Sequence, residues 1–329
     1  MDFSRFAGNE PVKQALHNDF ISGRLPHALI LQGDDGLGKR TLAKLIAAAA
    51  VCREGPEAAP CGKCPACIRA AASSHPDIRV IAGSGASGTI STDGVRSLTS
   101  DAFRKPEEAD CSVYLLFAGN LMPEIVQNKI LKIIEEPPPG VLFIITIRSA
   151  DSLLPTIRSR ARVLTLRPLK KDEAAAFVVK RHGADPDKAL EAAGIFGGNI
   201  GKMLAYLNGS GTSASRDTAS KMARLIDSSD EHALLAAAAP LIKDKALFAD
   251  VADALATIFR DACVLRAGFG GTVGTDPEAS RRLSASLLRQ RLVLLPGLCA
   301  EFKGYAARNA NMNLLVTAFC ARLRSAVLK

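Results

Sequence analysis

The sequence predicts an α/β domain with a parallel sheet, followed by two helical regions. In residues 1–167, short apolar runs alternate with helical patterns, which is typical of strands joined by helices that cover a sheet. A glycine-rich segment at residues 33–39 separates the first apolar run from a helical pattern. After residue 167 the patterns are helical, with no further strand signal. These observations indicate one α/β domain and a helical remainder.

Five apolar runs are the predicted strands of the α/β domain. They comprise residues 28–33, 78–82, 113–117, 141–147 and 161–166. Helices are predicted at residues 39–51 and 123–136, and three prolines at 137–139 end the second one. The second helix carries apolar residues at helical spacing, so we expect them to share its buried face. These residues are Ile125 or Val126, Ile130, Ile133 and Ile134.

Changes of character along the chain predict three domains. The α/β domain covers residues 1–167, and a small helical domain with several glycine breaks covers residues 168–207. A third, helical domain covers residues 208–329, and its first segment, NGSGTSASR, has the composition of a linker. A chain of 329 residues is long enough for this division.

Composition and the N-terminal segment favour a cytoplasmic protein. No apolar run approaches the roughly 18 residues that indicate a membrane span. The segment MDFSRFAGNEPVKQ lacks the apolar stretch of a secretory signal. The formal charge of +9 fits an attraction to nucleic-acid phosphates or acidic partners, and equally a solvated basic surface. We therefore expect a cytoplasmic protein whose charge alone does not identify a partner.

Residues 33–39, GDDGLGK, have the pattern and position of a phosphate-binding loop. Glycines in such a loop leave backbone N–H groups free to face phosphate, and the lysine reaches the β- and γ-phosphates. The candidate nucleotide-binding residues are Gly33, Gly36, Gly38, Lys39 and Thr41. In the intact motif a Ser or Thr that binds Mg²⁺ follows the lysine, whereas here Arg40 follows and Thr41 is displaced by about 100° around a helix. The segment is therefore either a site for ATP or ADP or only a tight turn.

Hydrolysis of ATP also requires a carboxylate for the metal at the end of a neighbouring strand. The predicted strand at 113–117 ends in the tetrapeptide FAGN, which begins at Phe117 and closes with Asn120. Residues 112–123 contain no Asp or Glu. The metal-binding hydroxyl and the metal-binding carboxylate are thus both absent, on independent segments. We expect that this chain does not hydrolyse ATP.

Four cysteines form a cluster with metal-ligand spacing. They are Cys52, Cys61, Cys64 and Cys67, in the pattern C-x8-C-x2-C-x2-C. Four thiolates at such spacing close around one tetrahedral Zn²⁺, and a site with all four positions filled is structural. An iron–sulfur cluster and free thiols are the alternatives. The other four cysteines are scattered through apolar stretches and are expected to be buried free thiols.

The segment LPTIRSRARV is a basic stretch with three arginines, Arg158, Arg160 and Arg162, and Arg160 directly precedes the last predicted strand. By residue chemistry alone they are surface arginines of a basic stretch. The functional alternative is that Arg160 is supplied in trans to ATP bound by a neighbouring protein, where its charge would stabilise the transition state.

Four segments of residues 27–167 match a single family pattern. The apolar run LPHALILQG resembles the family's opening strand, and the four-cysteine insertion resembles its zinc module. The segment NKILKIIEEPP, residues 128–138, resembles its NxLLKxLEEPP helix. The segment LPTIRSR, residues 154–160, resembles its serine–arginine motif, although Ala161 stands where a cysteine is usual. The chain thus resembles the bacterial clamp-loader family of AAA+ proteins, while its C-terminal third matches only weakly.

The resemblance implies an AAA+ α/β domain with a zinc module at 52–67, a helical lid at 168–207 and a helical collar at 208–329. It implies a non-hydrolysing subunit of the DNA polymerase III clamp loader, which places the sliding clamp on primed DNA. The implied partners are ATPase subunits of the gamma/tau type and a delta-type subunit, with DNA and the clamp contacted through the complex. Arg160 would be the arginine finger, and Gly201 stands where the ATPase subunits carry a phosphate-sensing arginine.

Two rival functions need features that the sequence lacks. An ATP-hydrolysing clamp-loader subunit, or a helicase-like motor, would need the missing metal ligands. A zinc-dependent DNA-binding module would need many basic residues near the cysteines, and only Arg53, Lys63 and Arg69 lie there.

Overall fold

The computed structural model describes residues 2–3, 5–83, 90, 95, 97–98, 101–119, 122–208, 212–228, 230–269, 276–307 and 310–328. Within it the chain forms two compact units. The first comprises Met1–Gly183 with Gly197–Gly201, and the second comprises Ala184–Phe196 with Lys202–Lys329. The three-domain division at residues 167 and 207 stays a prediction.

A five-stranded parallel sheet forms the centre of the first unit. Its strand order is β2-β3-β4-β1-β5, and every neighbouring pair runs parallel. The strands are β1 (Ala28–Gln32), β2 (Ile78–Ala82), β3 (Ser112–Phe117), β4 (Val141–Ile147) and β5 (Arg162–Thr165). The predicted parallel α/β fold and its five strands are confirmed.

Helices cover both faces of the sheet. They are α1 (Glu10–Ile21), α2 (Lys39–Ala50), α3 (Pro65–Ala71), α4 (Glu124–Glu135) and α5 (Pro155–Arg158). A further helix, α6 (Lys171–His182), follows the last strand. Alternate residues of β1 enter two separate cores: Leu29 packs in the core that contains α2, and Ile30 packs in the core that contains α4. Because both faces are buried, the strands read as continuous apolar runs rather than as alternating ones.

The buried face of α4 resolves the one position that the sequence left open. Val126 and Ile130 are buried, as expected, but Ile125 is 60% exposed. Four residues turn an α-helix by about 400°, which returns Val126 to the face of Ile130, whereas five residues turn it by about 500°. Of the two alternatives at this position, Val126 is therefore the core residue.

The second unit is helical throughout its described residues. Its helices are α7 (Pro186–Phe196), α8 (Ile200–Leu207, from Lys202 on), α9 (Thr212–Leu225), α10 (Glu231–Ala238), α11 (Lys245–Arg266), α12 (Pro277–Ser286), α13 (Arg289–Ala307) and α14 (Met312–Leu328). Asp230, Asp244 and Asp276 cap three of them by accepting backbone N–H groups at 2.9 Å. No helix among the described residues is both long and apolar enough to cross a membrane.

The predicted linker at residues 208–216 is wrong over residues 212–216, which are helical. Residues 209–211 lie outside the described residues, and α9 already begins at Thr212. Ser and Thr are weak helix formers, but further along the same helix Ala219 and Met222 are fully buried in the core of the unit. Tertiary packing therefore extends the helix into a segment whose composition favours a loop.

A buried carboxylate fixes the loop that lies beside the cysteine segment. Asp77 is 4% exposed and accepts backbone N–H groups from Glu107, Glu108 and Ala109 at 2.6, 2.9 and 2.8 Å. Glu108 in turn forms an ion pair with Arg69 of α3. Burial alone would raise the pKa of Asp77, but the three N–H groups outweigh burial and lower the pKa below its usual range.

Replacing Asp77 by asparagine is expected to lower the free energy of unfolding by about 1–3 kcal/mol, because the new amide group faces backbone N–H groups that lose their acceptor. Since the pKa of Asp77 is lowered in the folded state, its contribution is present above the unfolded pKa of about 3.9. It is lost as the pH falls through the folded value. Denaturant unfolding of wild type and variant at several pH values measures the difference, with the exposed Asp110→Asn as the control. Equal stability at pH 7 would contradict this role.

Candidate functional site

The candidate phosphate loop lies between β1 and α2, at the carboxyl edge of the sheet. Its three glycines, Gly33, Gly36 and Gly38, have φ angles of 148°, 89° and 82°, a region that favours glycine. A Cβ atom on Gly33 would lie 2.8 Å from the backbone oxygen of Leu166. The predicted strand–loop–helix context is thus present, and ligand binding by these residues stays a prediction.

Lys39 is directed at the loop itself. Its side chain is 8% exposed, and its ammonium group donates to the backbone oxygens of Gly33 and of Asp34, the latter at 3.0 Å. It also lies 3.4 Å from Oδ1 of Asp35. Burial lowers the pKa of Lys39, against the opposing effect of Asp35. The group that would reach the phosphates in an ATPase is therefore satisfied here by the protein's own oxygens.

The two residues at the expected metal-ligand positions contact each other. The guanidinium carbon of Arg40, at the start of α2, lies 5.2 Å from the centre of the Phe117 ring, at the end of β3. This is a cation–π distance. Mg²⁺ requires oxygen ligands in octahedral geometry, and neither a guanidinium nor a phenyl ring supplies one. Thr41, the displaced hydroxyl residue, is exposed on α2.

Asn120, the last residue of the FAGN tetrapeptide, lies outside the described residues.

Arg148 is a residue of this region that the sequence analysis missed. It follows β4 directly, and its Nε atom lies 3.1 Å from Oδ1 of Asp34 in the loop. Both side chains are about half exposed, so the pair contributes little to stability. The position of Arg148 directly after a central parallel strand could have identified it from the sequence, because functional groups of such sheets lie at the carboxyl ends of the strands.

Residues 199–201 close over the same loop. The Nδ2 atom of Asn199 donates to the backbone oxygen of Asp35 at 2.8 Å, and the amide of Gly201 donates to the backbone oxygen of Gly36 at 2.9 Å. A Cβ atom on Gly201 would lie 2.5 Å from the Cα atom of Gly36. An arginine at position 201 would therefore not fit this arrangement without moving the loop.

The structure brings the four predicted metal ligands together. The Sγ atoms of Cys52, Cys61, Cys64 and Cys67 all lie within 4.8 Å of one another, and those of Cys61 and Cys67 are 3.9 Å apart. Tetrahedral Zn²⁺ with Zn–S bonds of about 2.3 Å places its sulfurs about 3.8 Å apart. The donor set and its spacing therefore fit one zinc ion, held between the segment after α2 and the start of α3.

Backbone N–H groups donate hydrogen bonds to two of these sulfurs. The amide of Cys64 donates to Sγ of Cys61 at 3.3 Å, and the amide of Cys67 donates to Sγ of Cys64 at 3.4 Å. Burial raises the pKa of Cys64, but N–H bonds from Arg53 and Cys67 outweigh it and lower the pKa to about 6. The thiolate is the form that binds metal, so the polypeptide favours the required state at Cys64. At Cys67 burial raises the pKa instead, so there the metal would have to displace the proton.

Arg160 lies beyond α5 and is partly exposed. Its Nη1 atom donates to the backbone oxygen of Thr156 at 3.1 Å, and its Nη2 atom lies 3.3 Å from Oε1 of Glu135. The two other arginines of the segment pair elsewhere: Arg158 with Asp151 at 2.8 Å, and Arg162 with a carboxylate of α1. All three arginines are thus held by separate acids, a pairing that the sequence does not reveal.

Comparison with known proteins extends these findings. Residues 8–170 match the family described as "DNA polymerase III, delta subunit". DNA polymerase III subunit delta' of Pseudomonas aeruginosa is 34% identical over 208 residues, which are 63% of this chain and 60% of that protein. Subunit delta' of Escherichia coli is 28% identical over 227 residues, which are 69% of this chain and 68% of that protein.

A gamma/tau subunit is also similar. DNA polymerase III subunit gamma/tau of Mycobacterium tuberculosis is 30% identical over 294 residues, 88% of this chain. The chain spans about half the length of that relative, 48% of it. The family match over the α/β region and the delta' relatives show that the chain belongs to the DNA polymerase III clamp-loader subunits of the delta-prime type.

Proposed function

We propose that this chain is a non-hydrolysing subunit of the DNA polymerase III clamp loader. It assembles with ATPase subunits of the gamma/tau type and with a delta-type subunit, and the complex places the sliding clamp on primed DNA. The observation that carries this proposal is the contact between Arg40 and Phe117, at the two positions where an ATPase holds Mg²⁺. Family membership supplies the biological setting.

The phosphate loop supports the same proposal through its charges. Two aspartates, Asp34 and Asp35, lie in the segment that would surround the phosphates, and their negative charge opposes an anion there. Lys39 is satisfied by loop oxygens, and Gly201 lies against Gly36. Nucleotide would have to displace these contacts before it could bind. The loop thus serves as a fixed connection between the sheet and residues 199–201.

Arg160 is the chemical contribution of this chain to ATP hydrolysis. In the proposed complex it faces ATP bound by the adjacent ATPase subunit, where it acts as an arginine finger. Its partly exposed guanidinium and its permanent charge suit that role. The chain thus donates a catalytic group to a neighbour without hydrolysing ATP itself.

Zn²⁺ at Cys52, Cys61, Cys64 and Cys67 has a structural role. Four thiolates fill a tetrahedral shell and leave no position for water or substrate. The bound ion would supply cross-links between the end of α2 and the start of α3, whose residues form part of one sheet core.

The helical region at 208–329 is the proposed collar that joins the ring. Its helices expose several large apolar side chains, which suits a surface covered by other subunits. The most exposed examples on α13 and α14 are Val293 at 59%, Leu294 at 58% and Leu314 at 72%.

An ATP-hydrolysing clamp-loader subunit is the second candidate function. It is favoured by one observation, the 30% identity to a gamma/tau subunit over most of this chain. The two candidates differ in whether the isolated chain turns over ATP.

We expect no ATP turnover by the isolated chain, and no strengthening of ATP binding by Mg²⁺, because Arg40 and Phe117 replace the oxygen ligands. Phosphate release and calorimetric titration with ATP, with and without Mg²⁺, measure both quantities. Lys39→Ala is the control for contaminating activity, since only hydrolysis at this loop depends on that residue. If the wild-type chain hydrolyses ATP and Lys39→Ala abolishes that activity, the proposal is wrong and the second candidate is favoured.

A further inference from the structure

Arg160 is held on two sides by the protein. Oε1 of Glu135, in the last turn of α4, lies 3.3 Å from Nη2 of the guanidinium. On the other side Nη1 donates to the backbone oxygen of Thr156 at 3.1 Å and lies 3.4 Å from the hydroxyl of Ser159. The guanidinium thus has a defined orientation although the side chain is 41% exposed.

The position of Glu135 is electrostatically unfavourable for its own helix. A carboxylate in the last turn of a helix faces the negative end of the helix dipole. The adjacent Glu136 forms no ion pair among the residues that the structure describes, whereas Glu135 meets a cation from another segment. The contact with Arg160 therefore offsets part of the cost of a carboxylate at this place.

This contact is specific to one of three neighbouring arginines. Arg158 pairs with Asp151, and Arg162 pairs with Asp19. Glu135 therefore does not serve as a general counter-charge for the basic segment.

We propose that Glu135 is a positioning residue for Arg160. This inference rests on the proposed role of Arg160 in trans. A guanidinium carries five N–H donors in a rigid plane. Its ion pair with Glu135 and its hydrogen bond to Thr156 leave several donors available for phosphate oxygens. Because the plane is already fixed, less ordering is needed when charge develops on the neighbour's ATP. Glu135 acts through orientation and does not itself contact the nucleotide.

The test uses the reconstituted clamp-loader complex and its DNA-stimulated ATPase. Glu135→Ala is expected to lower kcat by at least about threefold, within the range for directly coupled neighbours. The KM for ATP should stay unchanged, because the interaction is made in the transition state. Glu135→Gln should give an intermediate rate, since it keeps a polar oxygen beside Arg160 but loses the negative charge of the ion pair. Glu136→Ala, which removes the neighbouring charge, should leave the rate unchanged.

A double substitution separates positioning from a structural effect. If Glu135 acts through Arg160, Glu135→Ala has no further effect in the Arg160→Ala background. If Glu135→Ala lowers the rate in that background by the same factor as in the wild-type background, this inference is overturned. An unchanged rate for Glu135→Ala while Arg160→Ala is impaired would overturn it as well, and in that case the role of Arg160 stands. An unchanged rate for Arg160→Ala overturns both proposals. Should Glu135→Ala fail to fold, as judged by zinc content and thermal midpoint, Glu135→Gln replaces it in the same cycle.

Discussion

Replacing Arg160 by alanine is expected to remove most of the hydrolysis at the one ATP site that this chain would face in the complex. An arginine finger contributes on the order of 10³–10⁵ in rate in GTPases, because its planar cation stabilises charge on the transferred phosphoryl group. The total ATPase rate of the complex falls less, because the other ATP sites in the ring do not face this chain. Single-turnover hydrolysis by the reconstituted complex with primed DNA resolves the slowed site. Clamp loading should fall with it.

Matched variants distinguish a finger from general electrostatics. Arg158→Ala removes the same charge from the same segment, and Arg158 is paired with Asp151 at 2.8 Å. Arg160→Lys keeps the charge but loses the fork geometry, so it should be impaired as well. All variants should keep their zinc and their place in the complex. Equal losses from Arg158→Ala and Arg160→Ala would show that only charge matters, and the finger assignment would fail.

Replacing Cys64 by serine is expected to release the zinc and to destabilise the α/β unit. Apparent binding free energies of about 10–16 kcal/mol are typical of structural zinc in small domains, and they contribute directly to folding. Cys64 also caps α3 and lies in the same core as α2 and β1, so the loss of one ligand loosens both helices. The zinc content found by metal analysis should fall from about one ion per chain to near none. The thermal midpoint should drop by at least several degrees, since each kcal/mol lost lowers it by roughly 2–4 °C in a unit of this size.

Cys111→Ser is the control for this substitution. Its thiol lies outside the cluster and contacts the backbone oxygen of Ala50 at 3.5 Å. Zinc content should therefore be unchanged in this variant. Because bound thiolates compete with protons, the wild-type protein should also lose zinc as the pH falls. If Cys64→Ser keeps both its zinc and its thermal midpoint, the four-thiolate site is wrong.

Several features were predictable because they depend on residues close in sequence. Apolar runs such as VLFIITI identify strands buried on both faces, and β4 has the predicted bounds of 141–147. The spacing of Cys52, Cys61, Cys64 and Cys67 restricts the thiols to a small volume whatever the rest of the fold does. Ile125 and the linker at 208–216 were not fully predictable, because which helical face is buried and where a helix begins depend on what packs against it.

By itself the sequence determined the fold class and the cysteine cluster, and it predicted the loss of the residues that bind Mg²⁺. The fold class follows from periodicity, and the cysteine cluster follows from short spacing along one segment. Only the tertiary structure decided that Arg40 contacts Phe117, that Gly201 lies against Gly36, and that Glu135 holds Arg160. In each pair the partners belong to different segments, and their contact depends on strand order and helix packing rather than on local pattern. The physical reason is that propensity acts within a few residues, whereas these contacts form only when distant segments pack together.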